Sequence, residues 1–489
     1  MNKTQEKVLA RAIDRCRERG VILPTFKQLA DPGSVPAGIK AALKTVGLND
    51  LHPLNLFRIT WKNEPVESGG GFGGVNYLRL PPELTGVPAP IFVLLGRHFP
   101  TGAHKVGATY GTLVEKLVSG EFDPTTQKAV WPSTGNYCRG GAYNSALLGC
   151  PAVAVLPEEM SPERFEWLAE LGAEVIRTPG GESNVKEIYD RVNQLAADQG
   201  DRVVVLNQFA EFGNARWHYA VTGPALAEVF RATGEPGLRL SALFLTQGSA
   251  GTLAAGDYLR EHFPTIKIAA GEAAQCPTLL LNGFGYHRIE GIGDKHVPWI
   301  HNLRNMDMVV AVDDELVLRL MRLFNEEAGT DHLLSRGVDP ATVEALPDLG
   351  LSSIANIIGA IKLARYYEYT AHDAIFTVAT DSMALYRSRL AEARDKWGPY
   401  TATEAAVDFE GRLAGLGRDN MLELSYYDRL RMHNLKYFTW VEQQGRSAEE
   451  LQAQWYDEDY WSSRYAQVAA WDQRINEFNQ RTGLLEQYQ

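Results

Sequence analysis

Along most of this chain, short runs of consecutive apolar residues alternate with stretches whose apolar positions recur at helical spacing. From about residue 90 the apolar runs are IFVLL (91–95), AVAVL (152–156), AEVIR (173–177), RVVVL (202–206), ALFLT (242–246), IKIAA (266–270), MVVAV (308–312) and AIFTV (374–378). Runs this short, rich in β-branched residues and apolar on both faces, predict buried strands. Between them, SPERFEWLAEL (161–171) and VKEIYDRVNQLAADQ (185–199) have the period of amphipathic helices. Strands alternating with helices predict an α/β fold, with parallel sheets covered on both faces. Ligands of such sheets bind beyond the carboxyl ends of the strands, so the loops directly after strands are where chemistry is expected.

The two ends break this pattern. Residues 1–80 open on the charged helical stretch MNKTQEKVLARAIDRCRERG and reach a glycine run, SGGGFGG (68–74), expected to be a flexible loop. Residues 396–489 are helical, acidic and aromatic, with Trp440, Trp455, Trp461 and Trp471; they predict a cap on the core or a contact with a second copy. The expected division is an accessory segment (1–80), a core (81–395) and a helical extension (396–489).

Composition narrows the function. With 45% apolar and 22% charged residues over 489 positions, the chain can bury a large core. A formal net charge of −12 argues against a general basic surface for nucleic acid or an anionic membrane. No apolar run approaches the roughly 18 residues that span a bilayer, and the N-terminus lacks the apolar centre of a secretory signal. Cys16, Cys138, Cys150 and Cys276 show no metal-ligand spacing and are too few for a disulfide scaffold, which suits a reducing cytoplasm. The histidines are scattered without an HExxH pattern, so no metal site is expected.

Four loops carry the candidate chemistry. In TGAHKVGATYG (101–111) Lys105 stands among small residues without charged neighbours. Desolvation lowers the pKa of such an amine and frees it to attack a carbonyl. WPSTGNYCRGGAYNSALLG (131–149) offers Ser133, Thr134, Gly135 and Asn136 at a helix start, a place suited to a carboxylate. LTQGSAGTLAAG (245–256) is a Gly/Ser/Ala/Thr turn between a strand and a helix, able to cradle a phosphate but lacking both the Walker and the GxGxxG endings. HRIEGIGDKHVPWIHN (287–302) has a Gly pair that lets a flat ligand lie against backbone.

Taken in this order, the four loops resemble the fold-type II pyridoxal-phosphate enzymes, in particular the cysteine synthase and cystathionine β-synthase branch. STGN, LNQFAEFGNARWHYAVTGPAL, GSAGTLAAG, IEGIGDKHVP and GLSSIANIIGAIKLAR (350–365) are each similar to a family segment, and the resemblance covers about residues 85–390. It implies two parallel-sheet α/β domains with the site between them, the smaller one spanning about 120–215 and nested in the larger. It further implies pyridoxal 5'-phosphate as cofactor, held by Lys105 as a Schiff base, with Asn136 on its 3'-oxygen. Gly248, Ser249, Ala250, Gly251 and Thr252 would cradle its phosphate, and Ser352, or its neighbour Ser353, would face the pyridine nitrogen. Ser133, Thr134, Gly135, Asn136 and Tyr137 would surround an amino-acid substrate. The small residues around Lys105 would leave room for the flat cofactor.

The implied reaction is β-replacement on a serine- or cysteine-type amino acid through an aminoacrylate, in a homodimer. A β-eliminating lyase that releases ammonia or sulfide is the alternative, and an inactive cofactor-binding regulator the alternative from another class. A serine opposite the pyridine nitrogen favours prompt loss of a β-leaving group over transamination. Some residues depart from the pattern. TGAHK is closer to the tryptophan synthase β-chain motif, which would place His104 beside the phosphate. Tyr137 replaces a small residue, and Asp294 and Lys295 follow the Gly-Ile-Gly turn; both are expected to face solvent, and a pair pointing inward would suit a polar or anionic substituent on the substrate. Cys138, next to the site, is expected to be a packed thiol.

Overall fold

The structure, a computed structural model, describes residues 2–488. Its strands are β1 (Tyr77–Leu80), β2 (Ile91–Leu95), β3 (Lys128–Pro132), β4 (Ala152–Pro157), β5 (Glu174–Thr178), β6 (Val203–Val205), β7 (Arg239–Thr246), β8 (Lys267–Ala273), β9 (Met308–Val312), β10 (Asp373–Ala379) and β11 (Met421–Glu423). They form two sheets, one in the order β1-β2-β10-β7-β8-β9-β11 and one in the order β5-β4-β3-β6. Every pairing is parallel except at the two edges of the larger sheet, where β1 and β11 run antiparallel to their neighbours. Strands β2, β9 and β10 are buried along their whole length, as expected where helices cover both faces.

All eight apolar runs are strands. Three further strands were not visible in the pattern. β1 and β11 are short edge strands with exposed positions. β3 begins on a half-exposed lysine and ends on Pro132, so its sequence KAVWP reads as the approach to a turn.

Helices Lys105–Val118 and Asn136–Leu148 begin at the ends of the connections from β2 and β3, and they pack against each other across the boundary between the sheets. The small residues around Lys105 serve this packing. A Cβ on Gly107 would lie 2.2 Å from the Trp217 ring, and one on Gly111 would lie 2.3 Å from the Gly213 carbonyl. Room for a flat cofactor is therefore not what these two glycines provide.

The extensions close on the core and on each other. Helix Lys3–Arg19 packs on Val468–Thr482 and on Asn136–Leu148. The Asn479 side chain accepts from the Leu23 N–H at 3.0 Å and donates to the Leu23 carbonyl at 2.7 Å. Trp440, Trp455 and Trp461 are buried, which makes the C-terminal segment a cap on this chain's own core. The glycine run is tied down: the Gly70 carbonyl accepts from buried Arg58, and the Gly71 N–H donates to Glu64 at 2.9 Å.

Candidate active site

A cleft opens between the two sheets at the carboxyl ends of their strands. Lys105, Ser133, Thr134, Asn136, Tyr137, Gly248 and Ser249 all line it, so three of the four loops singled out in the sequence meet there. Gly291, Ile292 and Asp294 of the fourth loop line it too, as do Arg164, Glu182 and Thr380.

Lys105 is the first residue of its helix, and its Nζ donates to Ser249 Oγ at 3.1 Å. Ser249 Oγ also accepts from Asn214 Nδ2 at 3.0 Å, which fixes the hydroxyl beneath the amine. Burial pulls the Lys105 pKa down to about 8, against the opposing pull of the Glu182 carboxyl. His104 is fully buried; its Nε2 lies 3.2 Å from Thr380 Oγ1, its ring packs against His218 and Trp61, and burial lowers its pKa to about 3. It is a neutral imidazole, and its Nδ1 has no partner.

The turn after β3 is shaped by Gly135, whose φ of 156° suits glycine. A Cβ there would lie 1.8 Å from Arg164 Nη1. Ser133 Oγ accepts from Gln208 Nε2 at 3.0 Å and from the Gly135 N–H at 3.2 Å, which leaves its own proton free to donate. The Thr134 hydroxyl donates to Glu182. Asn136 Nδ2 donates to Asp381 at 2.6 Å, while its Oδ1 is buried without a partner. Tyr137 is fully buried, and its hydroxyl donates to Thr112 at 3.2 Å. The Cys138 thiol is buried, and desolvation pushes its pKa up to about 12, the state of an inert packed thiol.

The loop after β7 puts Ala250 in the left-handed region and leads through the turn Gly251–Leu253 into helix Ala254–His262. Backbone N–H groups at such a start attract a phosphate. Ser352, at the start of helix Leu351–Tyr366, lies against the Gly291 turn, with its Cβ 3.8 Å from where a Gly291 Cβ would be. Ser353 is fully buried and its Oγ has no partner.

Of the charged pair after the glycine turn, Asp294 is buried in the cleft wall with Oδ2 unpartnered, and Lys295 pairs with Glu187 at 3.5 Å. Neither side chain is simply solvated, and only Asp294 points inward. A buried charge cluster that reaches the cleft wall through Arg164 was not anticipated. Arg164 pairs with Glu290 at 2.8 Å and donates to the Tyr386 hydroxyl at 2.8 Å and the Thr134 carbonyl at 3.2 Å. Tyr386 in turn donates to Asp381 at 2.7 Å. Asp381 does follow a strand directly, the one signal that could have found it; Arg164 and Glu182 sit inside stretches that look like an ordinary helix and turn.

The residues present fit a polar, phosphate-bearing cofactor. Asn136 Oδ1, Ser353 Oγ and Asn214 Oδ1 are buried without partners around the cleft, a cost that a bound polar group relieves.

The family profile described as "Pyridoxal-phosphate dependent enzyme" matches residues 70–335. A probable cysteine synthase of Bacillus subtilis is 31% identical over 252 residues, 51% of this chain and 78% of the relative. A cystathionine beta-synthase of Saccharomyces cerevisiae is 26% identical over 330 residues, 65% of this chain and 61% of the relative. Among solved structures, a cysteine synthase of Entamoeba histolytica covers 69% of this chain and 93% of its own, with a TM-score of 0.56 at 20% identity. A hydrogen sulfide-producing enzyme of Fusobacterium nucleatum, solved with an α-aminoacrylate intermediate, covers 71% and 93% with a TM-score of 0.56 at 23% identity.

Proposed function

The chain belongs to the pyridoxal-phosphate dependent enzymes, and from that premise we propose how its cleft performs β-replacement on a serine- or cysteine-type amino acid. Pyridoxal 5'-phosphate is its cofactor, and its relatives make it a cysteine synthase-like enzyme working through an aminoacrylate. The observation that carries the assignment is Lys105 Nζ, half-buried at a helix start 3.1 Å from Ser249 of the Gly/Ser loop, in a cleft it shares with the Ser133–Asn136 turn.

The cofactor, when bound, supplies the electron sink that makes the Cα–H bond of an amino acid acidic. The other work falls to this chain. Lys105 holds the cofactor and afterwards, as a free amine, takes the Cα proton at Nζ. Gly248, Ser249, Ala250, Gly251 and Thr252 would receive the phosphate at the helix start. Asn136 would hold the cofactor's 3'-oxygen, and Ser352 would face its nitrogen. Ser133 Oγ and the backbone N–H groups from Thr134 to Asn136 receive the substrate carboxylate. The Thr134 hydroxyl is committed to Glu182, which narrows the role expected for it.

The catalytic core is assigned to residues 81–395, with about 120–215 as the substrate-side domain. A homodimer in the cytoplasm is the assembly and place we assign; four free, buried cysteines agree with a reducing compartment. Light scattering on the purified protein checks the dimer.

Purified protein mixed with pyridoxal phosphate is expected to turn yellow. O-acetylserine, O-phosphoserine, serine and cysteine are then added singly, with and without a thiol. Growth of an aminoacrylate absorbance that a thiol discharges into a new thioether supports replacement. Pyruvate and ammonia as the only products, whatever thiol is present, would assign the lyase reaction instead.

A further inference from the structure

Glu182 lies in the loop after β5, lines the same cleft as Lys105, and is buried. Its Oε1 accepts from the Thr134 hydroxyl, and its Oε2 is buried without a partner. A carboxylate so placed would keep one charged oxygen dry and unbonded, at the cost of a buried charge. A carboxylic acid resolves this: Thr134 occupies Oε1, the proton sits on Oε2, and the cleft gains an O–H donor.

The charged groups that face Glu182 are Arg164, on the helix after β4, Glu290 beyond it, and Lys105 across the cleft. Arg164 is already engaged by Glu290 and the Tyr386 hydroxyl. Burial, helped by the like charge of Glu290, outweighs Arg164, the Thr134 hydroxyl and the Gly291 backbone N–H and pushes the Glu182 pKa up to about 8.

We propose that Glu182 Oε2 delivers a proton to the β-leaving group, so that the donor substrate is an amino acid with an unactivated β-hydroxyl. The inference rests on the β-chemistry proposed above. Lys105 takes the Cα proton, and the electron pair left at Cα forms the Cα=Cβ bond. The Cβ–O bond breaks with its pair on oxygen, which takes the Glu182 proton and leaves as water. An incoming thiol then bonds through sulfur to Cβ and gives its proton to the Glu182 carboxylate, and Lys105 returns the Cα proton. An acetyl ester does not need this help: its leaving group has a conjugate acid of pKa about 4, against about 15.7 for water.

The experiment compares L-serine with O-acetyl-L-serine on the loaded wild-type, Glu182→Gln and Glu182→Asp enzymes. Glu182→Gln is expected to lose about 100-fold or more in kcat/KM on serine, the usual weight of a general acid, and to lose markedly less on O-acetylserine, where only the thiol step still uses the carboxylate. Glu182→Asp is expected to recover part of the serine activity. An independent readout uses the protein without cofactor: its infrared spectrum at neutral pH should hold a protonated-carboxyl band that Glu182→Gln removes. Equal losses on both substrates, no loss on serine, or no such band would each overturn the proposal. A wild-type enzyme active on O-acetylserine but not on serine overturns it while leaving the β-chemistry standing; one inert to both overturns both.

Discussion

Two lysines sit in desolvated surroundings, Lys436 fully buried and Lys105 half-buried, and those surroundings could hardly differ more. Lys105 lines the cleft with one hydrogen-bond acceptor, Ser249, and a carboxyl within electrostatic reach. Lys436, in the C-terminal extension, donates to the Trp299 carbonyl at 3.0 Å, the His301 carbonyl at 2.7 Å and Gln454 Oε1 at 2.7 Å. Burial pulls both pKa values down. The difference lies in satisfaction: three acceptors match the three N–H bonds of Lys436, whereas Lys105 is left under-bonded and accessible to a ligand. One amine is a rivet between tail and core, and the other is held ready to react. Desolvation alone does not separate them.

The rivet also bears on the site. Lys436 and Trp440, which donates to the Val297 carbonyl at 2.8 Å, hold the segment Val297–His301. That segment continues directly from the Gly291–Asp294 turn of the cleft wall, so the tail positions one side of the site.

The sharpest way to break the comparison is to remove each amine. Lys105→Met is expected to abolish the yellow absorbance and lower turnover by at least about 100-fold, yet to leave the cofactor-free protein at least as stable as wild type in thermal denaturation. Strained or under-bonded reactive groups are a burden that folding tolerates for function. Lys436→Met should do the reverse. It strands three buried acceptors, each worth about 1–3 kcal/mol when unmet, so the melting temperature falls while the cofactor still binds. If Lys105→Met proved the more destabilising, the contrast between the two lysines would collapse.

Gly135→Ala sits lower in effect. Backbone strain of about 1–3 kcal/mol, together with a clash against Arg164, should raise KM for the amino acid more than it lowers kcat in steady-state assays. The mildest probe is pH. Only the neutral amine attacks the cofactor aldehyde, so the rate at which cofactor-free protein captures pyridoxal phosphate should rise about tenfold per pH unit below the Lys105 pKa and level off above it. The turning point is expected near pH 8, where the depressed pKa of Lys105 lies, instead of near the ordinary 10.5. Stopped-flow absorbance resolves the two cases.

Much of this was legible before any fold was seen. Buried parallel strands must be apolar on both faces and therefore announce themselves as contiguous runs, and the eight runs include even β5, most of whose positions are exposed or half-exposed. The loops that follow strands are exposed to ligand rather than to the core, so their residues, Lys105, Ser133 to Asn136 and Gly248 to Thr252, record chemistry more than packing. β3 escaped because its short run ends on proline, and the edge strands β1 and β11 because one face of each is polar. Asp294 shows the limit for a single side chain. The pattern DKH reads as solvated, yet the turn places the first of its charges in the cleft wall and pairs the second with Glu187.

By itself, then, the sequence determined the parallel α/β class, the loops that bind, the reactive lysine and the helical nature of the tail, because each depends on local periodicity or on residue types within a few positions. Only the tertiary structure decided what the glycines after Lys105 pack against, which lysine is inert, and which carboxyls enter the cleft. Glu182 and Thr134 meet once β3 and β5 join the smaller sheet, and Asn136 and Asp381 only after the two sheets are placed side by side. Burial, which sets the protonation of Lys105 and Glu182, is a property of that assembly and is not carried by any stretch of residues alone.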